Sequence, residues 1–132
     1  MPKFILKEGD PTGHIFAPTY PVPGDHLLVV ERELLDPTTG QQVGTITAAL
    51  TYMEIISADD ALLVGMAEHR LTDKVKPPAR EGAISAQGVL RSSDKHPVFS
   101  IVGGTGGYSG ASGTVTLDPE AGNFGKFNYD VH

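Results

Sequence analysis

Tyr52 and Glu54 stand two residues apart in residues 43–56, a run heavy in threonine, valine and isoleucine. A phenol there could donate a hydrogen bond to a carbonyl or a developing oxyanion, and a desolvated carboxylate could act as a base. Upstream, Arg32 lies in the leucine- and valine-rich stretch 26–35. Its guanidinium could hold an acidic head, a carboxylate or an enolised dicarbonyl, with two donors meeting two oxygens. The same side chains have plain structural readings: Glu54 in water at a rim, Tyr52 as packing, and Arg32 bridged to Glu54.

Other chemistries find less support. Gly104, Gly107 and Gly110 follow a G-x-x-G-x-x-G spacing after an apolar run, as in a loop that cradles a dinucleotide pyrophosphate. The next segment, Ser112-Gly113-Thr114-Val115-Thr116-Leu117, is strand-like and offers no helix dipole. Only 22 residues remain after Gly110, and no lysine takes the P-loop position, so the cluster reads as a hairpin corner. There are no cysteines, which removes thiolate metal sites, disulfides and cysteine nucleophiles. His14, His26, His69, His96 and His132 are scattered without the paired spacing of a metal site, so neither a metal nor a cofactor is expected. Glu68 and His69 are adjacent, so in a strand only one of them points inward. No nucleophile elbow marks a serine hydrolase. Asp59-Asp60 and Asp118-Pro119-Glu120 read as solvated turns.

Sixteen glycines and ten prolines punctuate the 132 residues, and helix-type stretches are scarce, as in an all-β sandwich or barrel. Strands are expected at 26–35, 43–56, 61–71, 82–90, 97–103, 111–117 and 124–131, with a weak first strand at 4–7. The turn Asp36-Pro37-Thr38-Thr39-Gly40 makes the first two long strands a hairpin. The stretch 61–71 contains good helix formers, but antiparallel neighbours on both sides favour a strand. Eight such strands can close, which leaves no unpaired edge. One domain over 1–132 is expected: a first strand and an extended proline-rich arm over 1–24, then a barrel body over 25–132. Net charge is −6 (10 basic against 16 acidic residues), which argues against nucleic acid or an anionic membrane as partner. The N-terminus lacks the long apolar core of a secretory signal, so a soluble cytoplasmic domain is expected.

Three blocks carry a resemblance. Phe99-Ser100-Ile101-Val102-Gly103-Gly104-Thr105-Gly106, with Gly110-Ala111-x-Gly113 after it, resembles the glycine signature of dirigent proteins and the allene oxide cyclase family. Gly24-Asp25 leading to Leu34-Leu35-Asp36, then Val43-Gly44-Thr45-Ile46-Thr47-Ala48, is similar to the second and third strands of the cyclases. Gly82-Ala83-Ile84-Ser85-Ala86-Gln87-Gly88 is similar to the strand before the glycine corner. Together the blocks span about residues 24–118. The resemblance implies an eight-stranded antiparallel barrel with a central apolar cavity, assembled as a homo-oligomer, dimer or trimer. Bacterial relatives of this barrel include cyclases that close polyketide products.

Alternation in a barrel would put Leu28, Val30, Arg32 and Leu34 on one face of the second strand, against Leu27, Val29, Glu31, Glu33 and Leu35 on the other. Matching the hairpin to the family places Gly44, Ile46, Ala48, Leu50, Tyr52 and Glu54 inward. Small inward residues (Gly44, Ala48, Ala86, Gly88) would leave room for a ligand. Tyr52 and Glu54 are then the candidate catalytic pair. Arg32, Leu28, Val30, Leu34, Ile46, Leu50, Met66 and Leu90 are the candidate substrate-binding residues. The chain departs from the plant cyclases: Leu90 stands where they have a tyrosine, Leu50 where they have a cysteine, and Arg32 replaces their polar strand-two side chain. Glu8 is a loose candidate for their acidic first-strand motif. The expected activity is a cofactor-independent cyclase or isomerase closing a ring in an apolar polyketide- or lipid-derived substrate. The alternatives are a non-catalytic dirigent-like or small-molecule-binding barrel, or a structural barrel filled by Met66, Phe99, Phe127 and their neighbours.

Overall fold

A computed structural model describes residues 3–9, 14–118 and 125–132. Pro11, the Pro119-Glu120 part of the expected turn, and Phe124 at the expected start of the last strand lie outside the described residues. The strands are β1 (Lys3–Glu8), β2 (His14–Phe16), β3 (His26–Leu35), β4 (Gln42–Ser57), β5 (Asp60–Leu71), β6 (Gly82–Arg91), β7 (Val98–Gly106), β8 (Gly113–Asp118) and β9 (Lys126–Val131). The described residues contain no helix. The proline-rich arm is not wholly irregular, because β2 within it pairs with β3.

Antiparallel neighbours succeed one another from β3 through β9, β9 pairs with β1, and β1 returns to β3 through Lys7–Leu35 and Glu8–Leu34. The result is a closed eight-stranded barrel, with β2 as a short addition along β3. Closure at this size leaves an interior just wide enough to be filled by side chains or to hold one small ligand.

Residues directly opposite each other in a ladder share a face. The register therefore assigns the inner face as Arg32, Leu34, Gly44, Ile46, Ala48, Leu50, Tyr52 and their partners on β5 and β6, among them Leu63, His69, Ile84 and Leu90. The ladders carry five register shifts among the described residues, and two of them reorient candidate site residues. Val29 pairs with Ala48 and Arg32 with Ile46, so Val30 and Glu31 together oppose Thr47, and Glu31 takes a φ of 48°. The extra residue reverses the parity of β3. Leu27 and Val29, not Leu28 and Val30, share the inner face with Arg32 and Leu34. On β4, Tyr52 pairs with Leu63 but Glu54 pairs with Leu62, which turns Glu54 outward.

One half of the interior is closed. Leu34, Ile84 and Val115 have no exposed surface, and Leu71 and Tyr129 keep only 2% of theirs. Leu6, Ile46, Ala86, Ile101, Phe127 and Val131 complete this core. The glycine corner closes its end. β7 stops at Gly106 (φ 61°), the chain turns, and Tyr108 inserts its ring with 2% exposure. The Tyr108 hydroxyl accepts a hydrogen bond from the Arg80 amide at 2.8 Å. Re-entry into β8 needs Gly113, whose φ is 115° and where a Cβ would lie 2.0 Å from the Asp130 carbonyl oxygen. The cluster thus plugs a barrel end and has no helix behind it.

Candidate functional site

The other half of the barrel is less tightly closed, although Leu63 and Ala61 within it are buried at 3% and 6% exposure. Leu27, Val29, Ala48, Leu50, Tyr52, Ala67, Leu90, Phe99 and Leu117 are all half-buried, although they lie on the inner face. They form an apolar mouth with one phenol. The small residues leave less room than their size suggests. A Cβ at Gly88 would meet Phe99 at 3.0 Å, and one at Gly44 would meet Leu71 at 3.1 Å, while Ala86 is in the closed core. At Gly88 the Phe99 ring, and at Gly44 the Arg70 carbonyl (2.2 Å) as well as Leu71, already occupy those spaces, so these glycines add no room for a ligand.

The stagger of a closed barrel decides what forms the floor of this mouth. Glu8 meets β3 opposite Leu34, so its inward side chain lies beside Arg32. Arg32 Nε is 2.6 Å from Glu8 Oε1, and the two side chains are 9% and 17% exposed. Charge attraction is strong at this distance, but Nε is not aligned for a hydrogen bond and is left without a partner. Glu8 is held above the usual carboxylate range: burial raises it by more than the Arg32 charge and a backbone hydrogen bond from Gly125 lower it. A buried ion pair is seldom a net stabiliser relative to apolar packing.

A second polar pair is buried two strands from Arg32. Ile46 pairs with both Arg32 and His69, so His69 is two strands from Arg32, about 10 Å at the backbone. His69 Nδ1 and the Tyr129 hydroxyl share a hydrogen bond of 2.7 Å. The imidazole meets Phe127 and Tyr129 edge-on, at centroid distances of 5.1 and 5.3 Å, and Tyr129 stacks on Phe4 at 4.6 Å. Burial pushes the His69 pKa down to about 3 and raises that of Tyr129 well above the usual phenol range. At neutral pH both groups are uncharged, and the pair is a buried hydrogen-bonded lock that can pass a proton but carries no charge.

The residues singled out in the sequence divide accordingly. Arg32, Leu50, Tyr52 and Leu90 come together in the mouth and its floor. Leu34 and Ile46 point inward but belong to the closed core. Leu28 and Val30 are 40% and 37% exposed on the outer face, turned there by the bulge. Met66 faces outward because its neighbours Gly65 and Ala67 are inward, and it is 56% exposed; it fills no interior. Glu54 is exposed on the outer side, so the carboxylate beside Arg32 is Glu8. Nothing local in the sequence marks Tyr129, since its partner His69 is 60 residues away. The signal that existed was the alternation of Phe127, Tyr129 and Val131 in the last strand.

A groove of about 670 Å³ lies elsewhere, between the outer face of β1, β8 and β9 and the loops at 36–38 and 75–79. Lys3 is 3.9 Å from Asp130, whose Oδ1 has no hydrogen bond, and Asp36 accepts the Thr38 and Thr39 amides of its own turn. The mouth, with an under-partnered guanidinium at its floor, is the stronger candidate.

No family model matches the sequence, and no curated protein matches it. Solved structures do match. Pyocyanin demethylase aligns over 98% of this chain and 99% of its own, with a TM-score of 0.75 and 20% identity. Two pterocarpan synthase dirigent proteins align over 98% of this chain and 83% and 92% of theirs, with TM-scores of 0.70 and 0.69 and 16% identity in both cases. The fold is that of the dirigent and allene oxide cyclase-like barrels, as the glycine signature implied.

The buried imidazole sets an acid limit on stability. Its pKa is depressed on folding, so its contribution is complete above the ordinary value near 6.5 and is lost as pH falls towards 3. Within that window the folding equilibrium should weaken by up to about tenfold per pH unit. Urea titrations from pH 7 to pH 4 should show a shallower decline in His69→Gln than in the unaltered protein; equal declines would refute the assignment.

Proposed function

We propose that this barrel is a cofactor-independent cyclase or isomerase whose apolar, polyketide- or lipid-derived substrate enters the open mouth and is rearranged against Glu8 and Arg32. The observation that carries this reading is the Glu8–Arg32 contact of 2.6 Å at the floor of a half-exposed apolar mouth. The fold shared with a demethylase and with dirigent proteins supports small-molecule work inside such a barrel, although fold alone does not carry function.

The chemistry needs few groups. Apolar walls at Leu27, Val29, Leu50, Leu90 and Phe99 restrict a flexible chain to folded conformers, which lowers the barrier to ring closure. Arg32 stabilises negative charge developing on an oxygen of the substrate. Glu8, with its raised pKa, exchanges a proton with the reacting group. Tyr52, half-buried at the rim, orients a second oxygen by hydrogen bonding. The product keeps every atom of the substrate.

Linear polyketides and unsaturated fatty-acid derivatives incubated with the protein should give products of unchanged mass and new connectivity, read by chromatography with mass and NMR detection. Glu8→Gln should slow the reaction by at least about 100-fold, and Tyr52→Phe by about 10-fold. Substrates that bind and return unaltered would favour the non-catalytic alternative. Unchanged rates in both variants would leave the shape of the mouth as the only agent.

The outer face adds a second expectation. Leu28, Val30, Met66 and Val89 are 40%, 37%, 56% and 62% exposed on one side of the barrel. Apolar surface of this kind marks an interaction site, and a second copy of the chain would cover it. Sedimentation should give the mass of two or three chains, falling to one in Met66→Glu with Val89→Glu. A single-chain mass for the unaltered protein would overturn the homo-oligomer.

A further inference from the structure

The mouth, taken as a binding site, leaves the ligand's head group open, and the floor specifies it; the choice of head group rests on the mouth being that site. Two features show that Glu8 and Arg32 do not form a finished salt bridge. Arg32 is 8% exposed, yet its Nε has no hydrogen-bond partner although Glu8 Oε1 is 2.6 Å away. Glu8, for its part, gains less from the guanidinium than it loses by burial, the reverse of a well-made ion pair.

A guanidinium presents five donors in a planar fork that fits two oxygens of one carboxylate. A ligand with an anionic head and an apolar tail would place the tail along the mouth and the head on that fork. Two carboxylates brought onto one guanidinium where water is largely excluded repel each other, which favours protonation of one of them. The groups around Glu8 favour that outcome. Arg32 faces it from β3, and the backbone of Gly125 beside β9 bonds to it. Lys7, Glu33 and Lys126 have the opposite parity in the ladder and lie on the outer side, and His69, two strands beyond Arg32, is neutral. Asp10 and Glu120 lie outside the described residues.

We propose that Arg32 exchanges Glu8 for the anionic head group of a carboxylate or enolate ligand, and that Glu8 takes up one proton from solvent as the exchange occurs. Glu8 then enters the reaction as an acid, placed to return the proton to the bound molecule. No bond to carbon changes in the exchange; the ligand supplies the negative charge, and solvent supplies the proton.

The test is calorimetric titration with sodium decanoate and with 1-decanol, in phosphate and in Tris buffer, whose heats of ionisation differ. Decanoate should bind with uptake of close to one proton, and decanol with none. Between pH 6 and 8, where decanoate stays ionised, its association constant should fall by up to about tenfold per pH unit. Glu8→Gln should still bind decanoate, without proton uptake and without that pH dependence. Arg32→Gln should lose the preference for decanoate over decanol. Decanoate binding without proton uptake, or no tighter than decanol, overturns the exchange and leaves the mouth as an apolar site. Binding of neither compound overturns the mouth itself and the exchange with it.

Discussion

Closure of the ladder between β1 and β3 sets the geometry of this barrel. The two pairs that seal it, Lys7–Leu35 and Glu8–Leu34, fix the stagger of the barrel and hence which inward side chains share a level. They bring a carboxylate from the first strand against a guanidinium from the third, across the seam that closes the sheet on itself. They also divide the interior. On one side of the pair Leu34, Ile84, Val115, Leu71 and Tyr129 close the space, and on the other the inward residues apart from Leu63 and Ala61 are only half-buried.

That division separates stability from chemistry. The closed half is held by apolar burial and by neutral hydrogen bonds, His69 with Tyr129 and the Arg80 amide to Tyr108, so it is firm without carrying charge at neutral pH. The floor is different. A charge contact without an aligned hydrogen bond, in a site half shielded from water, is poorly compensated in the empty state. In the proposed exchange, a ligand head group compensates it better than the protein does.

Much of the fold was legible in the sequence because turn chemistry is local. Asp36-Pro37-Thr38-Thr39-Gly40 and the glycine corner each declare a chain reversal, and eight strands separated by such signals leave few all-β solutions. The faces were harder. On β3 both faces carry leucine and valine, so hydrophobicity gave no warning of the bulge at Val30-Glu31, and alternation put Leu28 and Val30 inside. On β4 the bulge after Tyr52 did the same to Glu54. Neither bulge has a glycine to mark it, and Glu31 takes its left-handed φ of 48° as a charged residue. Glu8 was visible only as a loose candidate, because its role comes from a partner 24 positions away and from the stagger of a closed sheet. Long-range register, which no local pattern encodes, made the site.

The most direct measurement is methyl NMR of the protein labelled at isoleucine, leucine, valine and methionine, together with the Nε–H signal of Arg32, during titration with short-chain fatty acids. Shifts are expected at Leu27, Val29, Leu50, Leu90 and Arg32, with Ile84 and Val115 in the closed half little changed. Shifts confined to the outer Met66, Val89 and Leu28, with Arg32 silent, would contradict this and move the site to the outside of the barrel.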